Sequence, residues 1–438
     1  MYTRLSAPLD VQWELTPWCT YNCVHCYNYW RRGKRPKRIL TEDQLAVHRK
    51  TATELLDNKV FHVTLTGGEP LGVIEQVLPE LRQLASAGVH MSINTNLALM
   101  TPKMGRLLKE LGIRSILTSL ISANEQINDE VAQQEGAFKR TMAGIKLAVS
   151  LGFRVSVNMV VSQKNFGTIY DTGKLAYLLG ATVFCATKVS KPSNCDDFIG
   201  FPLNREQLRS MFHELIRIRE DFGVEVASLE HYPACVFPNS ETRTMFGNRN
   251  CSAAKTSCTI GFDGNIRPCS HAPMSYGNVA EDGLSTAWVE MDSWRDDSLV
   301  PAICKLSCGE YPDKCGGGCR IESLNAQKGV SGDDPYSIGA KPTTKRSVAR
   351  VKLLDPTVAV QLQPKVRFRK EDFGFVAYRS STNWVAMDTI LYDILVPPKP
   401  VSVIDVATIY QSSEDDALET LSILVAKGIV QIIIKRKE

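Results

Sequence analysis

The stretch Trp18-Cys19-Thr20-Tyr21-Asn22-Cys23-Val24-His25-Cys26-Tyr27 carries the pattern that decides the fold. Its spacing, C-x3-C-x2-C, supplies three thiolates, whereas a cubane iron–sulfur cluster has four irons, so one iron would stay open to a ligand. A disulfide framework is disfavoured, because residues 1–10 lack a signal-peptide pattern and the 13 cysteines are odd in number. A zinc site completed by His25 is an alternative that the stretch alone leaves open.

Length and composition are those of a globular protein with an ample core. The 438 residues correspond to about three domains, and 44% hydrophobic and 22% charged residues are ordinary contents. No run approaches the ~18 apolar residues of a membrane span, so we expect no membrane contact and a cytoplasmic location. A net charge of +4 does not indicate nucleic-acid binding. The basic run 31–38 contains Gly and Pro and is predicted to be a loop.

From the N-terminus to about residue 230, β-rich runs alternate with amphipathic helical patterns. Strands are predicted over 11–15, 60–65, 90–95, 115–118, 154–161 and 182–186. Helices are predicted over 42–56, 74–87, 103–111, 138–151 and 168–179. Six strand-then-helix repeats predict an α/β fold, a partial (β/α)6 TIM-like barrel whose chemistry lies at the C-terminal ends of its strands. The cysteine triplet follows the first strand and therefore lies on that rim.

The loop after the second predicted strand reads Thr66-Gly67-Gly68-Glu69-Pro70. Paired glycines let a backbone approach a ligand closely, and the Glu69 carboxylate suits an ammonium group. Taken alone, the motif also fits an ordinary Gly-Gly turn. On the same rim as the cysteine triplet, it makes the chain resemble the radical S-adenosylmethionine (radical SAM) enzymes, which combine such a triplet with a GGEP motif.

The resemblance implies a [4Fe–4S] cluster held by Cys19, Cys23 and Cys26, with the amino and carboxylate groups of SAM on its open iron. The implied SAM contacts are Gly67, Gly68, Glu69 and Pro70 on the amino side, Asn94, Asn96 and Ser119 near the ribose and carboxylate, and Asn158 and Val160 near the adenine. Ile121 stands where the family commonly has aspartate. The implied chemistry is reductive cleavage of SAM to a 5′-deoxyadenosyl radical, which takes a hydrogen atom from the substrate. An electron donor such as flavodoxin or ferredoxin is implied, and no catalytic side chain is named.

A second cysteine-rich region begins near residue 231. Three of its cysteines surround residues 259–268, which predict a β-hairpin turning at Asp263-Gly264. Four more follow around the glycines 316–318. The seven cysteines are Cys251, Cys258, Cys269, Cys304, Cys308, Cys315 and Cys319. The region resembles the SPASM extension, which holds auxiliary iron–sulfur clusters, although the common C-x2-C-x5-C spacing here has one extra residue in each gap.

The SPASM resemblance implies two sets of auxiliary ligands. The first cluster would be held by Cys251, Cys258, Cys269 and Cys319, and the second by Cys304, Cys308 and Cys315. The phrase that often supplies the closing cysteine reads Asp334-Pro335-Tyr336-Ser337. Substitute ligands are Asp333, Asp334 or Cys235, ahead of Ser337; an open iron, an absent second cluster and zinc sites are the alternatives. Cys185 is predicted to be a core residue, and Cys195 lies in a loop near the rim.

A small third domain is predicted after a Gly-, Pro-, Lys- and Ser-containing linker. Strands are predicted over 366–370, 375–378, 384–386 and 429–434, and helices over 389–395, 403–410 and 414–427, with Gly428 as a C-cap. This order resembles the winged-helix, PqqD-like peptide recognition element, and the phrase 366–374 supports it best. DNA binding is the alternative for a winged helix, but the predicted helices hold few Arg or Lys residues.

These observations predict domains over residues 1–230 (radical SAM barrel), 231–337 (SPASM), 338–364 (linker) and 365–438 (winged helix). The predicted function is modification of a ribosomally synthesised precursor peptide, its leader bound by the C-terminal domain. Crosslinking, decarboxylation, epimerisation and backbone excision are all compatible with the sequence. The alternatives are a radical SAM enzyme acting on a folded protein or a small molecule and, from another class, an iron–sulfur electron-transfer module.

Overall fold

The computed structural model describes residues 4–28, 36–192, 198, 200–237, 239–247, 249–308, 315–339, 355, 358–397 and 399–433. The chain divides into a larger unit, residues 10–346, and a smaller unit formed by residues 3–9 together with 347–438. Cys195 and most of the predicted linker 338–364 lie outside the described residues. No helix within the described ranges has both the length and the apolar character needed to cross a membrane.

The larger unit is built on one sheet, which has nine strands among the described residues. The strands are β1 Asp10–Glu14, β2 His62–Thr66, β3 His90–Asn94, β4 Ser115–Ser119, β5 Arg154–Val161, β6 Val183–Lys188, β7 Glu225–Ala227, β8 Ser257–Ile260 and β9 Ile266–Arg267. Their order is β7-β6-β5-β4-β3-β2-β1-β8-β9, parallel up to β8, with β9 antiparallel to β8. The predicted parallel α/β sheet is confirmed, and so is the hairpin at Asp263-Gly264.

Helices lie between the parallel strands β1 to β7, and further helices follow β7 along the chain. They are α1 Glu42–Asp57, α2 Leu78–Ser86, α3 Pro102–Glu110, α4 Glu125–Ala132, α5 Ala137–Ser150, α6 Ile169–Leu178, α7 Arg205–Phe222, α8 Ser240–Phe246, α9 Leu284–Glu290, α10 Ala302–Ser307 and α11 Arg320–Asn325. The sequence analysis missed α4, α7 and the four helices α8 to α11. For α7 a signal existed, because Asn204 and Gln207 form a capping box and Gly223 closes the helix at φ 67°.

The core of the larger unit comes from alternate strand residues, which β5 shows plainly. Val155, Val157, Met159 and Val161 are buried, whereas Asn158 and its neighbours on the other face are partly accessible. This alternation leaves polar side chains at the carboxyl ends of the strands, where parallel sheets place their loops. The loops after β1, β2 and β3 meet there and carry the site.

The smaller unit has two three-stranded antiparallel sheets among its described residues, β11-β12-β13 and β14-β10-β15. Its elements are β10 Ala359–Leu362, β11 Arg367–Glu371, β12 Gly374–Ser380, β13 Asn383–Met387, α12 Thr389–Leu395, β14 Val401–Ser402, α13 Val403–Tyr410, α14 Glu414–Ala426 and β15 Val430–Ile433. Four predicted strands and three predicted helices are present. The unpredicted strands are β14 and β10, of which β10 falls within the predicted linker.

Residues 3–9 belong to the smaller unit because β11 holds their backbone. The Arg369 guanidinium donates to the carbonyls of Ala7 (2.6 Å) and Pro8 (2.9 Å), and the Glu371 carboxylate accepts from the Ser6 N–H (2.7 Å). Arg369 and Glu371 are themselves a buried pair, 2.7 Å apart. The charges are therefore satisfied by each other and by the chain's own N-terminal segment.

Candidate active site and cluster-binding loops

The cysteine loop after β1 is held by backbone hydrogen bonds to the end of α4. The N–H groups of Asn22 and Val24 donate to the carbonyls of Ala132 and Val131, each at 3.0 Å. The Tyr21 hydroxyl donates to the first residue of α5, at 3.1 Å from the carbonyl oxygen. These bonds fix the backbone of the cysteine loop against α4 and α5.

The surroundings of Ile121 explain why an apolar residue stands where the family commonly has aspartate. It is 4% exposed and belongs to a small apolar cluster against which two of the loop cysteines pack. The cluster consists of Tyr21, Ile121, Val131, Ala132 and Ala137, with Cys19 and Cys23 beside it. An aspartate at 121 would bury a charge among these side chains.

The paired glycines of the loop after β2 are required by the chain's own backbone. The N–H of Gly68 donates to the Thr16 carbonyl (2.6 Å), and the N–H of Glu69 donates to the Trp18 carbonyl (2.7 Å). A Cβ at Gly68 would stand 1.9 Å from the Trp18 oxygen, and Gly67 has a φ of +120°. The loop therefore fastens the segment that leads into the cysteine triplet.

Glu69 joins the ends of β2 and β3. Its carboxylate accepts hydrogen bonds from the Thr95 hydroxyl (2.6 Å), the Asn96 N–H (2.9 Å) and the Leu71 N–H (3.0 Å). Burial raises its pKa to about 7, and the three hydrogen bonds offset only part of that rise. A carboxylate has about four acceptor positions, so one remains for an ammonium group such as that of SAM.

Asn96 links this carboxylate to the cysteine loop. Its backbone donates to Glu69, while its side-chain Nδ2 lies 2.8 Å from the Thr20 hydroxyl and 3.6 Å from Cys19 Sγ. The structure thus brings together three of the predicted site residues, Cys19, Glu69 and Asn96. They come from three different loops at one edge of the sheet.

The other predicted SAM contacts lie along the same edge. Asn94 ends β3, and Ser119 at the end of β4 pairs in register with Asn158 on β5. The Asn158 side chain accepts from the Thr187 hydroxyl at 2.9 Å, and Val160 packs beside Val189 and Phe198. Contact of these residues with SAM stays a prediction.

The hairpin that leads to Cys269 is tied to β1 by a buried ion pair. Arg267 pairs with Glu14, and both side chains are almost fully buried. Arg267 also donates to the carbonyls of Ser270 (3.1 Å) and Ala272 (3.2 Å), which flank the loop after Cys269. Burial raises the pKa of Glu14 to about 7, with Arg267 opposing the rise. No sequence pattern indicates this pair, because its partners are far apart along the chain.

The residues after Cys26 and Cys269 also meet. The rings of Tyr27 and His271 are stacked, with centroids 4.6 Å apart. Cys26 directly precedes Tyr27, and Cys269 lies two residues before His271. The loop of the triplet and the loop of the first auxiliary set therefore adjoin.

Two further cysteines of the auxiliary region, Cys315 and Cys319, flank a turn of three glycines. Gly316, Gly317 and Gly318 have φ values of 62°, 83° and 92°, which L-residues with side chains rarely adopt. A Cβ at Gly317 would stand 2.5 Å from Pro301 and 3.3 Å from Cys304 Sγ. The turn thus brings the backbone between Cys315 and Cys319 close to Pro301 and Cys304.

Lys188, at the end of β6, forms a buried charge network that the sequence analysis missed. Its Nζ lies 2.9 Å from a carboxylate oxygen of Glu230 and 2.9 Å from one of Glu322, with its side chain 1% exposed. Burial raises the pKa of Glu230 to about 7, against the pull of Lys188, whose own pKa is raised by the two carboxylates. The network connects the barrel rim to α11, which begins directly after Cys319.

The donor set is rich in thiols, which are the ligands that iron–sulfur clusters use. Twelve cysteines fall within the described residues, all as free thiols. Among those residues, no three His, Cys, Asp or Glu side chains converge on one point. Backbone N–H groups also point at the sulfurs, as Ala234 does at Cys315 Sγ (3.2 Å).

Comparison with known proteins agrees with this geometry. Residues 13–175 match the Radical SAM superfamily, and residues 251–309 match SPASM, an iron-sulfur cluster-binding domain. Together with the fold and the site, these matches define the chain as a radical SAM/SPASM enzyme that uses SAM and [4Fe–4S] clusters. The predicted enzyme class and cofactors are confirmed.

The chain is similar to several proteins of this class. It is 27% identical to the AdoMet-dependent heme synthase of Methanosarcina barkeri over 353 residues, 77% of this chain and 98% of that protein. It is 25% identical to the PqqA peptide cyclase of Rhizobium meliloti over 366 residues, 81% and 93% of the two chains. The crystal structure of Streptococcus suis SuiB bound to the precursor peptide SuiA shares the fold, with a TM-score of 0.55, 18% identity and 75% of each chain covered.

Proposed function

We propose that this enzyme performs radical chemistry on a ribosomally synthesised precursor peptide, by crosslinking, decarboxylation, epimerisation or backbone excision. The observation that carries the proposal is the convergence of Cys19, Glu69 and Asn96 at one edge of the sheet, next to the loop of Cys269. Similarity to the PqqA peptide cyclase, and to the fold of SuiB seen with its precursor peptide, supports a peptide substrate.

In this proposal Cys19, Cys23 and Cys26 hold the SAM-binding cluster, and the free acceptor position of Glu69 receives the SAM amino group. The further SAM contacts are Gly67, Gly68, Pro70, Asn94, Asn96, Ser119, Asn158 and Val160. When bound, SAM and the reduced cluster supply a 5′-deoxyadenosyl radical that removes a hydrogen atom from the substrate. Asn96 orients Cys19 and Glu69 relative to each other, and the burial of Glu69 keeps water from its carboxylate.

The auxiliary region and the other domains complete the proposal. We assign radical generation to the domain predicted over residues 1–230, the auxiliary clusters to residues 231–337 and peptide binding to the domain predicted over residues 365–438. Residues 3–9 and β10, which lie in the first predicted domain and in the predicted linker 338–364, belong to the smaller unit. We infer that a flavodoxin or ferredoxin supplies the electron. A cytoplasmic location suits thiolate-bound clusters, because the cytosol keeps cysteines reduced.

We assign leader binding to the smaller unit as a PqqD-like winged helix. Its β11 and β13 are the outer strands of their sheet, and an extended peptide can add to such a strand edge. Behind β12, the ring of Phe375 stacks on Tyr392 with centroids 3.7 Å apart, which holds the sheet against α12. DNA binding is disfavoured, because the first turn of α14 is acidic and would repel phosphate.

Replacement of Phe373 tests the leader assignment. Phe373 lies in the two-residue turn that joins β11 to β12, so Phe373→Ala removes an aromatic contact at the hairpin tip. We expect about tenfold weaker binding of a fluorescent leader peptide to the full chain, equivalent to about 1.4 kcal/mol. The control is Tyr177→Ala, a 45% exposed aromatic residue on α6 of the larger unit, which should leave affinity unchanged. Unchanged affinity in Phe373→Ala would refute leader binding at this hairpin.

The reaction itself is tested under anaerobic conditions. The reconstituted enzyme, given SAM and dithionite, should release 5′-deoxyadenosine. Co-expression with the small reading frames beside its gene should change the mass of one encoded peptide, and tandem mass spectrometry should locate the altered residue. Release of 5′-deoxyadenosine with every candidate peptide unmodified would contradict the peptide proposal.

A small-molecule substrate is the second candidate, favoured by the similarity to a heme synthase across 98% of that protein. It predicts that heme accumulates in anaerobic cell extracts only when the enzyme is present. Absorption spectra and mass spectrometry of such extracts measure this directly. Because Phe373→Ala should not affect heme formation, the two candidates give different results with the same variant.

A further inference from the structure

The second auxiliary set has three assigned cysteines and a serine where a closing cysteine would stand. Ser337 is fixed in position: the α7 side chain of Arg205 donates to its carbonyl at 2.9 Å, and its N–H donates to the Asp334 carbonyl at 2.9 Å. The Ser337 hydroxyl lies 3.7 Å from Cys235 Sγ, and the next N–H, that of Ile338, donates to the same sulfur at 3.4 Å. A thiol from a distant part of the sequence therefore stands beside the position of the missing ligand.

The turn that carries Cys235 also contacts an assigned cysteine. Cys235 belongs to the short 3-10 turn Ala234–Val236, and the N–H of its neighbour Ala234 donates to Cys315 Sγ at 3.2 Å. Gly317, two residues after Cys315, lies beside Cys304, since a Cβ there would be 3.3 Å from Cys304 Sγ. N–H donors directed at sulfur are a common feature of cluster ligands, because they stabilise the thiolate charge.

The alternative ligand Asp334 accepts backbone hydrogen bonds beside Cys319. Its carboxylate accepts from the Cys319 N–H (2.9 Å) and from the Tyr336 N–H (2.9 Å), and a Cβ at Gly318 would stand 2.6 Å from it. These contacts place it at the backbone of Cys319, a ligand of the first auxiliary set. Asp334 thus caps the turn at Cys319, within the first auxiliary set, whereas Cys235 stands beside Ser337.

We propose that Cys235 is the fourth thiolate ligand of the second auxiliary [4Fe–4S] cluster, together with Cys304, Cys308 and Cys315. Every iron of this cluster then has a protein ligand, so the cluster has no open position for a substrate. Its role is confined to carrying electrons or holding the fold. The inference depends on the auxiliary-cluster assignment and not on the identity of the substrate.

The test uses the full chain with Cys19, Cys23 and Cys26 replaced by Ala, which removes the SAM-binding cluster. After anaerobic reconstitution this parent should contain about eight irons in two four-thiolate clusters, and mild oxidation should give no [3Fe–4S] electron paramagnetic resonance signal. Adding Cys235→Ala should produce that signal or lower the content to about four irons. Cys185→Ala, a buried core cysteine on β6, is the matched control and should behave as the parent.

The substitution Ser337→Cys should rescue the cluster that Cys235→Ala impairs. Because its hydroxyl is 3.7 Å from Cys235 Sγ, Cys235→Ala combined with Ser337→Cys should restore about eight irons and abolish the [3Fe–4S] signal. A second experiment makes the same substitutions in the chain that keeps Cys19, Cys23 and Cys26. It is run at saturating SAM, so that SAM protects the open iron of the first cluster from oxidation. The proposal is overturned if Cys235→Ala matches its parent in both readouts, or if Ser337→Ala alone produces the signal.

Discussion

The cysteine loop after β1 and the second auxiliary set would hold their clusters in opposite ways. In the loop, three thiols come from eight consecutive residues that hydrogen bonds fasten to α4, and polar groups from two neighbouring loops, Glu69 and Asn96, stand beside them. In the second set, the thiols come from positions 235 to 315, and the glycine turn 316–318 brings them together. A compact triplet leaves an iron open for chemistry, whereas a set collected from distant positions can close it.

The largest effect should separate the two regions by function. Cys23→Ala removes a ligand of the open cluster, so we expect SAM cleavage to fall at least a thousandfold. Cys308→Ala removes a ligand of the closed cluster and should leave SAM cleavage measurable while product formation falls. Chromatographic measurement of 5′-deoxyadenosine, with and without peptide, checks both variants. Equal loss of SAM cleavage in the two variants would remove the functional distinction between the regions.

A second effect concerns the charge network between the regions. Lys188→Met leaves Glu230 and Glu322 buried without their cation, so we expect a loss of about 3–5 kcal/mol in the free energy of unfolding. The matched control is Lys50→Met, which breaks the Lys50–Glu54 pair at an exposed lysine and should change stability far less. Anaerobic urea denaturation followed by circular dichroism measures both, and similar midpoints would contradict a structural role for Lys188.

The sequence predicted the fold well where the signal is local. All six predicted strands of the barrel are present, because β-branched runs bounded by glycine and polar residues are local patterns. The helix α4 escaped notice, since its eight residues, EQINDEVA, include few apolar positions. Its importance appears only in three dimensions, where its last carbonyls anchor the cysteine loop.

Only the part of the site that lies in short sequence motifs could be predicted. The triplet and the GGEP loop are short patterns, and the structure brings Cys19, Glu69 and Asn96 together. The pairs Glu14–Arg267 and Lys188–Glu230, and the approach of Cys235 to Cys315, depend on residues brought together from distant positions. Such contacts cannot be predicted from periodicity or spacing in the sequence, because they follow from the packing of the sheet against the auxiliary region.

A smaller effect should appear in the pH dependence of stability. The pKa of Glu69 in the folded chain, about 7, lies above its ordinary value of 4.5, so its contribution is fully present below about pH 4.5 and lost as pH rises through 7. The loss amounts to roughly 3 kcal/mol. Glu69→Gln cannot ionise, so the stability of wild type relative to this variant should fall as the pH rises from about 4.5 to about 7 and stay level above that.

Anaerobic denaturation of the reconstituted protein without SAM, at several pH values, checks this prediction. Glu75→Gln is the control, because Glu75 is exposed and Lys103 holds its pKa below the ordinary value. That variant should follow the wild-type profile across this pH range. Parallel profiles for wild type and Glu69→Gln would show that the Glu69 carboxylate is already ionised at pH 5.5.

The smallest effect tests whether the compact loop depends on its docking. Tyr21→Phe removes the hydroxyl that donates to the Ala137 carbonyl (3.1 Å) and pairs with Thr141 (3.0 Å), so we expect a loss of about 1 kcal/mol. Tyr170→Phe loses a comparable 2.7 Å bond to Asp221, but on the surface of α6, and should change stability less. Thermal unfolding measures both variants. If Tyr21→Phe loses no more stability than Tyr170→Phe, the hydrogen bond to α5 does not stabilise the cysteine loop. The backbone hydrogen bonds to α4 would then account for its position.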